Sequence, residues 1–136
     1  MLPFKLAPEP QLVFANGYDI RSIYTSGKEY RSISSSRSSS AVAVDVKDEM
    51  IYWTDMVDKT ISRIHKNLSS KPEVLVRNLE KPESLAVDWL HRKIYWIDTG
   101  KNELHVSNLD GSHPTLLVKG SDTVELRTLA VYPEKQ

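Results

Sequence analysis

Two pairs of aspartates recur in this chain at one spacing. Asp45 and Asp88 stand 43 residues apart, and so do Asp55 and Asp98. Paired carboxylates can do general acid–base work when one is held protonated and the other ionised, which requires two unlike surroundings. Residues copied by a repeat occupy like surroundings. The copying therefore assigns these acids to backbone amides in turns, not to catalysis. A metal reading fares no better. Asp45 and Asp88, with Tyr132 at the third equivalent position, supply too few oxygens for an axial cation. His65, His91, His105 and His113 share no ligand spacing, and all four are expected at the surface. There is no cysteine, so thiol nucleophiles, thiolate metal sites and disulfides drop out together, and the redox compartment stays open. No cofactor or metal is expected, and the chain reads as a non-enzyme. One modification motif is present: Asn67-Leu68-Ser69 fits an N-glycosylation acceptor.

The elements that carry these residues repeat with them. Ala43-Val44-Asp45 followed by Ile51-Tyr52-Trp53-Thr54-Asp55 is copied at Ala86-Val87-Asp88 and Ile94-Tyr95-Trp96-Ile97-Asp98. Leu129-Ala130-Val131 copies the first part again. Within the unit starting at Leu85 there are four β-type runs, at Leu85–Val87, Ile94–Ile97, Leu104–Ser107 and Leu116–Val118. The Asp98–Asn102 and Asn108–Ser112 stretches between them are turn chemistry. Four strands of about 5–6 residues with short connections need roughly 40 residues, so the period suits a four-stranded antiparallel meander. Helical repeats would need apolar residues at i, i+3, i+4 and i+7, which are missing. Small alanines suit a crowded innermost strand, and the apolar second strand suits cover on both faces.

Composition adds mainly exclusions. Eighteen basic residues balance eighteen acidic ones, giving no electrostatic case for nucleic acid or an anionic membrane surface. The longest apolar stretches are strand-sized, well short of the roughly 20 residues that span a bilayer. Residues 1–10 lack a charged head followed by an apolar block and read as an extended, proline-rich lead-in.

The Tyr-Trp-Thr-Asp motif at 52–55 and its variant at 95–98 resemble the YWTD (class B) repeat of the low-density lipoprotein receptor family, with Val13-Phe14-Ala15-Asn16 as a degenerate copy. The expected fold is all-β, an incomplete YWTD β-propeller of three strands, two full four-stranded blades and one inner strand. An incomplete blade is expected over 11–40, blades over 41–79 and 80–118, and the first strand of the next blade within 119–136. Closure of such a ring takes at least about four blades, more than 136 residues can hold at this period. The family resemblance implies a six-bladed propeller whose first blade receives its innermost strand from the far C-terminal end. Two copies of this chain would together hold the strands of six blades, so a ring-completing homodimer is one arrangement that the count allows.

Loops after second strands and loops before first strands share one face of a propeller. The candidate ligand residues there are Asn16, Tyr18, Asp19, Met56, Asp58, Lys59, Glu83, Thr99, Lys101, Asn102 and Arg127. Mixed charge with Tyr and Met suits a protein partner. The resemblance implies a non-catalytic extracellular module that binds a protein or peptide ligand and neighbouring receptor modules, within a single-pass endocytic or signalling receptor. A nidogen-like matrix propeller is the alternative, and a metal-dependent propeller hydrolase a third reading. Tyr52, Trp53, Thr54, Asp55, Tyr95, Trp96 and Asp98 are the structural repeat motif.

Overall fold

A computed structural model describes residues 9–134. Residues 1–8 of the expected lead-in, and 135–136 of the expected last segment, lie outside the described residues. Strands β1 (Gln11–Ala15), β2 (Asp19–Tyr24) and β3 (Arg31–Ser35) form one antiparallel meander. A second contains β4 (Ser39–Asp45), β5 (Met50–Asp55), β6 (Thr60–His65) and β7 (Glu73–Val76). The third contains β8 (Pro82–Asp88), β9 (Lys93–Asp98), β10 (Glu103–Asn108) and β11 (Thr115–Lys119). The repeat extends to backbone conformation. Left-handed residues recur 43 apart at Glu49 and Arg92, at Lys59 and Asn102, and at Leu68 and Gly111.

The apolar cores lie between sheets, and strand alternation decides which core a residue joins. Ile51 and Trp53 of β5 pack with Ile20, Ile33 and Ile64, between the first and second sheets. Tyr52, on the other face of β5, packs with Leu85, Ile94 and Trp96 between the second and third. That double cover explains a strand apolar at successive positions. Tyr52 and Trp96 are 0% and 2% exposed, and burying a side chain of this size is worth about 3 kcal/mol. The outermost strand, β11, is exposed throughout.

Two expectations need correction. Leu129-Ala130-Val131 is not a strand. Its segment does lie beside β8: the Thr128 and Ser84 hydroxyls are 3.4 Å apart, and the Leu129 N–H donates to Ser84 Oγ at 3.1 Å. No ladder forms because the described residues offer it no second strand to pair with. The histidines are also not uniformly superficial, since His65 and His105 are half-buried while His91 and His113 are exposed. His105 faces Trp96 across the β9–β10 pair. Its ring therefore stacks on the indole, with centroids 5.4 Å apart and planes 7° apart.

Candidate functional site

One end of the sheets carries the β1–β2, β5–β6 and β9–β10 loops, the segments entering β4 and β8, and residues 120–127. The acid at the end of each second strand fixes this end. Asp55 Oδ1 accepts the N–H groups of Val57 and Asp58 in its own hairpin, at 2.9 and 2.8 Å. Its Oδ2 accepts the Ser36 hydroxyl and the Arg37 N–H, both at 2.9 Å, from the segment leading out of the first sheet. Asp98 repeats the arrangement. It accepts Gly100 and Lys101 from its hairpin, at 3.1 and 3.3 Å, and Glu80 and Lys81 from the segment behind it, both at 2.8 Å. Asn16 holds the same place in β1, and its single carboxamide oxygen accepts the Tyr18 and Asp19 hairpin amides at 2.9 Å.

Burial by itself pushes the Asp55 and Asp98 carboxyls up. Amide donors outweigh it, from Asp58 and Arg37 on one and from Lys81 and Glu80 on the other, and hold both below the usual carboxylate range.

A cavity of about 650 Å³ opens beside the third sheet and gathers Glu83, Thr99, Asn102 and Arg127 from the expected set. Asn102 builds its wall. Its amide donates to the carbonyls of Ser121 and Val124 at 3.3 and 2.9 Å, and its oxygen accepts the Leu126 N–H at 2.8 Å. Gly120 comes so close to Asn102 that a Cβ there would overlap the carboxamide.

The other expected residues do not line this cavity. Lys101 turns away and donates to the Asn78 carbonyl at 3.3 Å. Asp19 is engaged within its own sheet by Arg21 and Ser32, each at 3.0 Å. Asp58 pairs with Arg37 at 3.2 Å in an exposed contact. Lys59 is exposed, Met56 is half-buried and Tyr18 projects with 82% of its surface free.

Sequence reasoning missed Arg37, whereas Glu125 belongs to the Glu125-Leu126-Arg127 loop that it places on this face. Arg37 lies 43 before Glu80, whose N–H meets the equivalent aspartate, so the period itself marks the position. Glu125 lines the cavity and holds Arg127 at 2.7 Å.

The other end of the sheets is organised by the second pair of acids. Asp45, fully buried, takes a two-pronged contact from Arg92 of the next sheet and the Lys47 N–H. Asp88 instead accepts the Leu90 and His91 N–H groups and contacts the His91 ring at 2.7 Å. A more apolar cavity, about 330 Å³, opens at this end between the first two sheets, lined by Val13, Ile33, Val44 and Ile51 among others.

The sequence profile described as low-density lipoprotein receptor repeat class B matches residues 49–89, from the β4–β5 turn to just past β8. These are class B repeats. Human low-density lipoprotein receptor-related protein 8 is 36% identical over 107 residues, covering 75% of this chain and 11% of that protein. Mouse low-density lipoprotein receptor-related protein 5 is 38% identical over 132 residues, covering 93% of the chain and 8% of that protein. The chain thus spans only about a tenth of the length of these relatives. Among solved structures, a nidogen/laminin complex superposes with a TM-score of 0.73 at 25% identity, covering 80% of this chain and 44% of the matched one. With three antiparallel sheets and no helix among the described residues, the class B repeats form part of a YWTD propeller.

Proposed function

We propose that the chain is a non-catalytic, extracellular ligand-binding part of a receptor related to the low-density lipoprotein receptor. A protein or peptide ligand meets the end bearing Tyr18, Met56, Asp58, Lys59, Glu83, Thr99 and Arg127. The observation that carries this is the cavity of about 650 Å³ walled by Asn102, where Glu83, Thr99 and Arg127 converge. Its volume lies within the roughly 300–1,000 Å³ of ligand pockets, and Tyr, Met and Arg are enriched at protein interfaces. The non-catalytic reading is supported by the state of the repeated acids. Asp45, Asp55, Asp88 and Asp98 all spend their oxygens on donors of the chain itself. The receptor-related names of the curated relatives support an endocytic or signalling role on the outer side of the plasma membrane.

Selection of a random peptide library on the folded chain tests the reading. Captured peptides should lose at least tenfold in affinity when Tyr18 or Glu83 is replaced by alanine, and keep it when Lys66, at the far end, is replaced. Peptides insensitive to Tyr18 and Glu83 would remove this face. The nidogen likeness favours a second reading, a matrix module. Capture by immobilised laminin, lost with Arg127→Ala, would favour that one.

A further inference from the structure

We propose that Asn67 carries an N-linked glycan, at the end of the second sheet opposite the candidate ligand face. Asn67-Leu68-Ser69 is the one Asn-x-Ser/Thr triplet in the sequence. It forms the turn after β6, and Asp110-Gly111-Ser112 forms the equivalent turn after β10. The two turns are built alike. Asn67 Oδ1 accepts the Ser69 N–H at 2.9 Å, and Asp110 Oδ1 accepts the Ser112 N–H at 2.9 Å. Leu68 and Gly111 are both left-handed, with φ of 59° and 85°.

Their surroundings differ. The turn of the third sheet seats on the second sheet. Leu109 is buried there, and its carbonyl accepts the Tyr52 hydroxyl at 3.3 Å and Arg63 at 3.0 Å. Gly111 approaches so closely that a Cβ would lie 2.6 Å from the Leu75 carbonyl oxygen. A side chain at that position forbids such seating, and Leu68 has one. Lys66, Asn67, Leu68 and Ser69 are all exposed. The turn that carries the acceptor triplet is the turn that stands clear of its neighbour, with room for a sugar.

In the transfer, Asn67 Nδ2 bonds to the anomeric carbon of an oligosaccharide. The bond from that carbon to a polyprenyl pyrophosphate carrier breaks, the carrier leaves with the electron pair, and the amide gives one proton to the transferase. Ser69 supplies the hydroxyl that the acceptor triplet requires. This rests on the extracellular reading, because the carrier is met in the secretory pathway. It adds a direction: β6 runs from the loop holding Met56, Asp58 and Lys59 to this turn, so the glycan leaves the opposite face open.

The test is expression of the full chain behind a secretory leader in cultured animal cells, with mass spectrometry before and after peptide-N-glycosidase treatment. The expected result is loss of one glycan, with aspartate left at position 67. Asn67→Gln and Ser69→Ala should each arrive bare, and Ser69→Thr should keep the sugar. An unmodified Asn67 in cells that glycosylate a control protein overturns the proposal. Material retained inside the cells is read in the same way. Failure to leave the cell thus counts against the extracellular reading, while the state of Asn67 still decides this one.

Discussion

Arg92, in the turn before β9, grips Asp45 of the preceding sheet with its two terminal guanidinium nitrogens, at 2.9 and 2.7 Å. The Asp45 side chain is 1% exposed and that of Arg92 32%. A buried carboxylate stripped of its cation is costly, and Arg92→Ala should destabilise the chain by about 3 kcal/mol. Arg92→Lys keeps the charge but loses the fork, so it should fall between. Urea midpoints measure both. An unchanged midpoint for Arg92→Ala would mean that the inter-sheet pair adds nothing.

Asp55→Asn leaves one acceptor oxygen where two serve four donors. We expect a loss of about 2 kcal/mol, seen as a fall in Tm of about 8 °C. Asn16→Asp should change stability by less than about 0.5 kcal/mol, because among the described residues only the Tyr18 and Asp19 amides of its own hairpin donate to the Asn16 side chain. Equal effects at the two positions would contradict the two-sided role of Asp55.

Acid should unfold the chain through these same groups. Asp55, Asp88 and Asp98 are held below the ordinary carboxylate value in the fold. For groups lowered in this way, the stabilisation is complete above the unfolded value, about 3.9, and is lost as pH falls through the folded values. Chemical denaturation from pH 7 to 2 should be level down to about pH 5 and decline steeply below about pH 4. Asp98→Asn should flatten that decline.

Gly111→Ala puts a Cβ into the Leu75 backbone at a left-handed position. It should cost about 2 kcal/mol or more, by unseating the turn that covers Tyr52. A calorimetric Tm matching the unaltered chain would show that the turn adapts freely.

The strands, their order and the paired acids were legible in the sequence because each blade solves the same packing problem, so like residues return at one period. What crosses between sheets was not. Arg92 and Asp45 are 47 residues apart, and nothing in either residue's neighbours announces the other. His105 looked superficial because its strand alternates, yet the face it shares with Trp96 is covered. Leu129-Ala130-Val131 repeats a strand's residues without becoming one, since pairing needs a neighbour as well as a pattern. In the candidate site, the loops were legible from the period. The engagement of Asp19, Lys101 and Asn102 by the chain itself depends on side-chain directions that spacing does not reveal.

Asp55 holds Ser36 and Arg37, and Asp98 holds Glu80 and Lys81. In both cases the fastener is made after the segment it secures. On the ribosome, each finished blade would wait unlatched until the first two strands of its successor had emerged, giving assembly a fixed amino-to-carboxyl sequence. A pause in translation between two blades would leave the earlier one with its exit free.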